Sequence, residues 1–164
     1  MLRNLAFPPD FALPDDESQI RTMGEIRGVK PLVLFFFRGA FCATARRDLL
    51  AYGDIYGRIQ GLGAALVAIS VDAPSELSRL RAQLGLEFPL LSDADFAVSR
   101  QYGVYESDET DAGPQPHGEP AVFVLDGQGR LIFSQIQSGP KGAAPANEVL
   151  LMLLYIAQNQ GNYW

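Results

Sequence analysis

Pro31-Leu-Val-Leu-Phe-Phe-Phe37, followed without a break by Arg38-Gly-Ala-Phe-Cys-Ala-Thr-Ala45, decides the fold. The run from Pro31 to Phe37 has no polar alternation. It therefore reads as a central strand buried on both faces, in a parallel or mixed sheet flanked by helices. From Ala43 to Gln60 the apolar positions Ala45, Leu49, Tyr52, Tyr56 and Ile59 step by four and three, which is a helical stripe. The strand thus turns into a helix close to Cys42. Ala64 to Ser70 is a second continuous apolar run, and Leu77, Leu80 and Leu84 predict a short helix after Pro74 that ends at Gly85. Upstream, Pro8 to Ser18 reads as an extended, turn-rich lead-in, because each proline biases its predecessor away from helix. Downstream, Phe88 to Leu91 is short enough for an edge segment, and Asp95 to Tyr102 for one or two helical turns stopped by Gly103. Glu106 to Pro120, rich in acids, proline and glycine, reads as a long solvated loop. Ala121 to Leu125, the turn Asp126-Gly-Gln-Gly129 and Arg130 to Gln137 give a hairpin. Ala146 to Ala157 is an apolar closing helix. The order is β-α-β-α-β-β-α, an α/β protein, and nothing in residues 1–164 suggests a second domain.

The chain has 164 residues with 13 Lys+Arg against 19 Asp+Glu, a formal charge of −6. Phosphate backbones and anionic lipid would repel it, so neither a nucleic acid nor a membrane is an expected partner. A single cysteine excludes an internal disulfide and a cysteine-based zinc cluster. Two prolines and an acid interrupt the first ten residues before a secretory run can form. Val149 to Ala157 supplies nine apolar residues, where a membrane span needs about 20. These features and the lone thiol point to the cytoplasm.

Ligands of open α/β sheets gather beyond the carboxyl ends of parallel strands, where helix N-termini present free N–H groups. Cys42 occupies such a junction. The helix dipole favours its thiolate, as would an inward cation from Arg38, Arg46 or Arg47, and a favoured thiolate is a nucleophile. The competing reading is a packed structural cysteine, since free cysteines are among the most buried residues. His117, the only histidine, reads as a solvated loop residue rather than a base for Cys42. The acids Glu106, Asp108, Glu109 and Asp111 lack the spacing of a calcium loop.

Five blocks in order carry a resemblance: Pro9-Asp-Phe-Ala-Leu-Pro14, Leu34-Phe-Phe-Phe-Arg-Gly-Ala-Phe-Cys42, Gly63-Ala-Ala-Leu-Val-Ala-Ile-Ser70, Phe88-Pro-Leu-Leu-Ser-Asp93 and Pro120-Ala-Val-Phe-Val-Leu-Asp126. Together they resemble the redoxin family, the alkyl hydroperoxide reductase and thiol-specific antioxidant group, and most of all its peroxiredoxin-like branch. The resemblance implies a thioredoxin-like fold with a central mixed sheet flanked by helices. Against the peroxiredoxin pattern Pro-x-x-x-(Thr/Ser)-x-x-Cys, Arg38 stands at the proline, Cys42 at the Thr/Ser and Ala45 at the peroxidatic cysteine. Against Arg-Gly-x-Trp-Cys-Pro-x-Cys of the peroxiredoxin-like branch, Arg38, Gly39 and Cys42 match, Phe41 replaces tryptophan and Ala45 replaces the second cysteine. The attacking thiol is kept and its resolving partner is not. The arginine that peroxiredoxins place before the later strand has no counterpart. Pro120 matches the proline that is cis in such folds, which puts Glu119 near Cys42.

The resemblance implies a thiol-dependent oxidoreductase in which Cys42 and Arg38 are catalytic and Phe41, Thr44, Glu119 and Pro120 shape the substrate wall, although Thr44 is better explained as capping or packing the first helical turn. The expected partners are a hydroperoxide or disulfide substrate and glutathione or a thioredoxin-like reductant, with no metal and no organic cofactor. A homodimer is the default assembly. The rival expectation is a catalytically silent redoxin-fold protein that binds a partner or ligand through the same cleft.

Overall fold

A computed structural model describes residues 2–139 and 145–163. The elements in chain order are β1 (Ala12–Pro14), β2 (Ile20–Thr22), α1 (Met23–Arg27), β3 (Leu32–Phe36), α2 (Ala43–Gly61), β4 (Ala65–Ser70), α3 (Pro74–Leu84), β5 (Leu90–Ser92), α4 (Ala97–Gln101), β6 (Glu106–Ser107), β7 (His117–Gly118), β8 (Ala121–Leu125), β9 (Leu131–Ile136) and α5 (Ala146–Asn159). Five strands form one sheet in the order β5-β4-β3-β8-β9. β3 pairs in parallel with β4 and β4 with β5, while β8 runs antiparallel to both β3 and β9.

The apolar run of β3 lies at the centre because it has two faces to cover. Val33, Phe35 and Phe37 point into a core built with Leu49 and Tyr52 of α2, Leu77 and Leu80 of α3, and Val149 and Leu153 of α5. Leu32, Leu34 and Phe36 point the other way, into a core with Phe11, Met23, Phe96 and Tyr102. Alternation with period two sends successive side chains to opposite layers, so every residue of the strand is buried without any polar face.

Two expectations need correction and one is extended. The stripe of α2 buries Ile55, whereas Tyr56 lies at the margin with its ring edge against Phe88. The lead-in continues into β2 and α1, capped by Thr22 Oγ1 accepting from the Glu25 N–H at 3.1 Å. Glu106 to Pro120 is not wholly solvated: β6 and β7 pair within it, and His117, Gly118, Glu119 and Pro120 are buried. None of the described helices is long and apolar enough to cross a membrane.

The β8–β9 turn is tied to the C-terminal segment by Asp126. This carboxylate accepts from the Gln128 N–H, the Arg130 N–H, Arg130 Nε and the Tyr163 hydroxyl at 2.9 to 3.0 Å. Burial raises the pKa of Asp126, but these donors together outweigh it and hold the carboxyl below its ordinary value. Tyr163 is pushed up to about 12 by burial and then by its bond to the same carboxylate. A carboxylate with a depressed folded pKa adds stability above its unfolded value, and that stability is lost as pH falls through the folded value. Asp126→Asn should therefore lower the unfolding free energy at neutral pH by roughly 1–3 kcal/mol. In urea titrations the gap from wild type should close as pH drops below the ordinary carboxylate range; a gap independent of pH would deny the ionic contribution.

Candidate active site

The loop between β3 and α2 is held in shape before any side chain reaches the sulfur. Gly39 has φ +146°, and a Cβ there would come within 3.0 Å of the Phe41 ring and 3.3 Å of Asp72 Oδ2. Asp72, just beyond β4, accepts from the Ala40 N–H at 2.9 Å and from Ser70 Oγ at 2.7 Å, so the neighbouring parallel strand pins the loop. Arg46 Nη1 closes it from the helix side by donating to the Ala40 carbonyl at 2.9 Å.

Cys42 is the N-cap of α2, with extended backbone, and its Sγ accepts from the Ala45 N–H at 3.4 Å. Capping residues are ordinarily Ser, Thr, Asp or Asn, whose oxygens satisfy an orphan N–H of the first turn. Here sulfur does so. Thr44, expected as a possible cap, is exposed instead. The first turn of this 19-residue helix carries no acidic side chain, so no carboxylate of that turn offsets the positive end of its dipole at Sγ.

Arg38 supplies the second positive element. The antiparallel register pairs Phe36 with Ala121, and continuing it two residues outward sets Arg38 opposite Glu119. Each guanidinium nitrogen then has its own partner. Nη1 donates to Cys42 Sγ at 3.5 Å. Nη2 lies 3.0 Å from His117 Nε2 and donates to the Glu109 carbonyl at 3.3 Å. Nε lies 3.1 Å from Glu119 Oε2. That last contact is an ion pair by distance, but the N–H does not point along it, and both atoms are buried without an aligned hydrogen bond. Side-chain exposure is 12% for Arg38 and 4% for Glu119, so the pair is largely removed from water.

The expected site residues separate clearly. Cys42, Arg38, Phe41, Thr44 and Glu119 share the wall of one cleft of ≈ 760 Å³ with Glu109, Thr110 and Asp111. Phe41 is 37% exposed, its ring lying 5.5 Å from the Arg38 guanidinium carbon and edge-on to the imidazole of His117 at 5.1 Å. Pro120 is buried at the start of β8 and is not among the lining residues; all described peptide bonds are trans, so the cis expectation does not hold. Arg46 is spent on the loop and on Gln83, and among the described residues it is Arg38 whose cationic side chain donates to the sulfur. His117 is the largest correction: its side chain is fully buried. Asp72 was not anticipated at all, although its position just past a parallel strand neighbouring β3 is the available signal. No group of three or more His, Cys, Asp or Glu suited to a metal occurs among the described residues.

A thiol presented by a strand-to-helix junction under a guanidinium, on this mixed sheet, defines a redoxin of thioredoxin-like fold. The comparisons agree. The AhpC/TSA family model matches residues 6–134. Alkyl hydroperoxide reductase E of Mycobacterium tuberculosis is 34% identical over 139 residues, 84% of this chain and 87% of that protein. The crystal structure of peroxidoxin BcpB from Mycobacterium tuberculosis superposes with TM-score 0.83 at 24% identity, covering 95% of this chain and 99% of that one. A cysteine-to-serine mutant of peroxiredoxin 6 of Arenicola marina gives TM-score 0.86 at 16% identity, over 98% and 76% of the two chains. The chain belongs to the AhpC/TSA family, a family of thiol oxidoreductases of the peroxidase type.

Breaking a buried ion pair strands the remaining charge, whereas replacing both partners by apolar groups removes that penalty. Glu119→Ala should destabilise the protein by about 3 kcal/mol. The double variant Arg38→Met/Glu119→Ala should be more stable than Glu119→Ala alone in urea denaturation. A double variant equal to the sum of its singles would show that the two charges do not couple.

Proposed function

We propose that this chain is a single-cysteine thiol peroxidase in which Cys42 is the nucleophile and Arg38 its electrostatic partner. The observation that carries the reading is the convergence of Arg38 Nη1 and the Ala45 N–H on Sγ at the wall of an open cleft. Both donors favour the thiolate over the thiol, since hydrogen bonds to a charged acceptor are the stronger kind. The thiolate attacks the terminal oxygen of a hydroperoxide. An S–O bond forms, the O–O bond breaks, and the departing alkoxide takes a proton from solvent, leaving an alcohol and Cys42 sulfenic acid. Sulfur is oxidised and the peroxide reduced. Among the described residues Nη1 of Arg38 meets only Sγ, and its second N–H can meet the charge that develops on the leaving oxygen.

With Ala45 where a second cysteine would stand, resolution falls to an external thiol. Its sulfur attacks the sulfenic acid, an S–S bond forms, the S–O bond breaks and water leaves. A second thiolate then attacks the mixed disulfide, restores Cys42 and carries away the external disulfide. Glutathione or a thioredoxin-like protein in a reducing cytoplasm fits this role. The chain acts as one redoxin domain over residues 1–164. Phe41, Thr44 and Glu119 form the substrate wall.

A second reading, a silent redoxin that binds a ligand or partner through the cleft, is favoured by one observation: Cys42 is only 7% exposed and already serves as a helix cap. Intact mass after mild hydroperoxide treatment separates the two. The peroxidase should take up one oxygen trappable by dimedone and, with glutathione present, one glutathionyl group removable by dithiothreitol. Unmodified protein, or stepwise oxidation with no thiol-recoverable species, would support the silent reading.

A further inference from the structure

We propose that His117 is a positioning residue that holds the Arg38 guanidinium on Cys42, through the neutral tautomer protonated at Nδ1. The inference rests on the reading of Arg38 and Cys42 as the reacting pair and adds the group that sets their geometry. His117 Nδ1 lies 2.6 Å from the Gln115 carbonyl, which can only accept, so that nitrogen carries the hydrogen. Nε2 lies 3.0 Å from Arg38 Nη2, which can only donate, so that nitrogen presents its lone pair. Only the neutral Nδ1–H form satisfies both contacts.

The third contact, Nε2 to Glu119 Oε1 at 3.3 Å, would need a hydrogen on Nε2. That hydrogen would meet the N–H groups of Nη2 head-on, and an imidazolium would set a second positive charge against the guanidinium. Glu119 meets the guanidinium through its other oxygen, as an ion pair with Arg38 Nε at 3.1 Å that has no aligned N–H. With no exposed side-chain surface, the imidazole has no solvent to turn to. Phe41 covers it edge-on.

The consequence for the sulfur is geometric. Arg38 Nη1 reaches Sγ at 3.5 Å, an ordinary length for a sulfur acceptor, and its aim depends on where the rest of the fork is anchored. Glu119 holds the Nε edge by charge alone and His117 the Nη2 end by its lone pair, so the guanidinium is held at two points with Nη1 aimed at Cys42. Loss of the imidazole lone pair frees one of those points. Gln115, His117 and Glu119 come from one short segment after β6, which delivers the anchors together.

Because His117 is the only histidine in the chain, long-range proton–nitrogen NMR of the uniformly 15N-labelled protein reports its tautomer without assignment. At neutral pH the spectrum should show hydrogen on Nδ1 and a lone pair on Nε2. Hydrogen on Nε2, or on both nitrogens, would overturn the proposal. The kinetic arm follows sulfenate formation at Cys42 by dimedone trapping with tert-butyl hydroperoxide, with folding checked by circular dichroism. His117→Ala should slow it about tenfold, the loss of one charge-assisted contact to the group that meets the sulfur. His117→Gln, whose amide oxygen can accept from Nη2, should recover to within about threefold of wild type. A glutamine variant as slow as the alanine variant, or an alanine variant at the wild-type rate, would refute the positioning role. Arg38→Met distinguishes the two levels. If it is slow while His117→Ala is unchanged, the reading of the site survives and this inference fails; if Arg38→Met matches wild type, both fail.

Discussion

The guanidinium of Arg38 is the constraint on which the rest of this site depends. It sits where the central strand ends, and its three nitrogens are engaged by a thiol sulfur, a carboxylate and an imidazole contributed by two distant segments of the chain. A flexible ammonium could not direct N–H groups at sulfur and imidazole while pairing with a carboxylate from one rigid plane, and an arginine cannot lose its charge to burial. The mixed sheet supplies the alignment. Because β8 runs antiparallel to β3 with Phe36 opposite Ala121, the residues leaving both strands at the same end face each other, and the positive and negative partners meet there.

Burial makes this arrangement consequential. A surface ion pair contributes little, but Arg38 and Glu119 lie under the lip of a cleft with little water between them. The same desolvation strengthens the field at Sγ. Helix α2 adds its N-terminal N–H groups from the other side, with no acidic side chain in the first turn to cancel them. The cysteine is therefore both a structural cap and the group on which positive potential converges. These two properties are compatible, because an N-cap that becomes negative is a better acceptor for the Ala45 N–H.

Much of this was legible in the sequence. The unbroken apolar run before Arg38 located the central strand, and the spacing of Ala45, Leu49, Tyr52 and Ile59 located the helix. Between them they put Cys42 at the junction. Local signals of this kind survive because strand burial and helix periodicity are properties of neighbouring residues. The partners of Arg38 were harder to read. His117 is 79 residues away from it, in a stretch whose prolines, glycines and acids describe the exposed part of the segment and conceal its buried end. β6 and β7 are two residues each, too short for any alternation to register. Asp72 acts on the backbone of a loop from an adjacent strand, a relation that only the pairing of β3 with β4 creates. Pro120 was read through a family pattern rather than through its own neighbours, and its trans geometry corrects that reading.

One measurement tests the central claim most directly: the rate of Cys42 alkylation by iodoacetamide at neutral pH in the folded protein, in Arg38→Met and in the urea-unfolded chain. The chain has one cysteine, so each rate reports a single sulfur. The account predicts that the folded wild-type thiol reacts faster than the unfolded one, and that Arg38→Met loses most of that advantage while remaining folded. A folded thiol slower than the unfolded chain, with Arg38→Met unchanged from wild type, would contradict it.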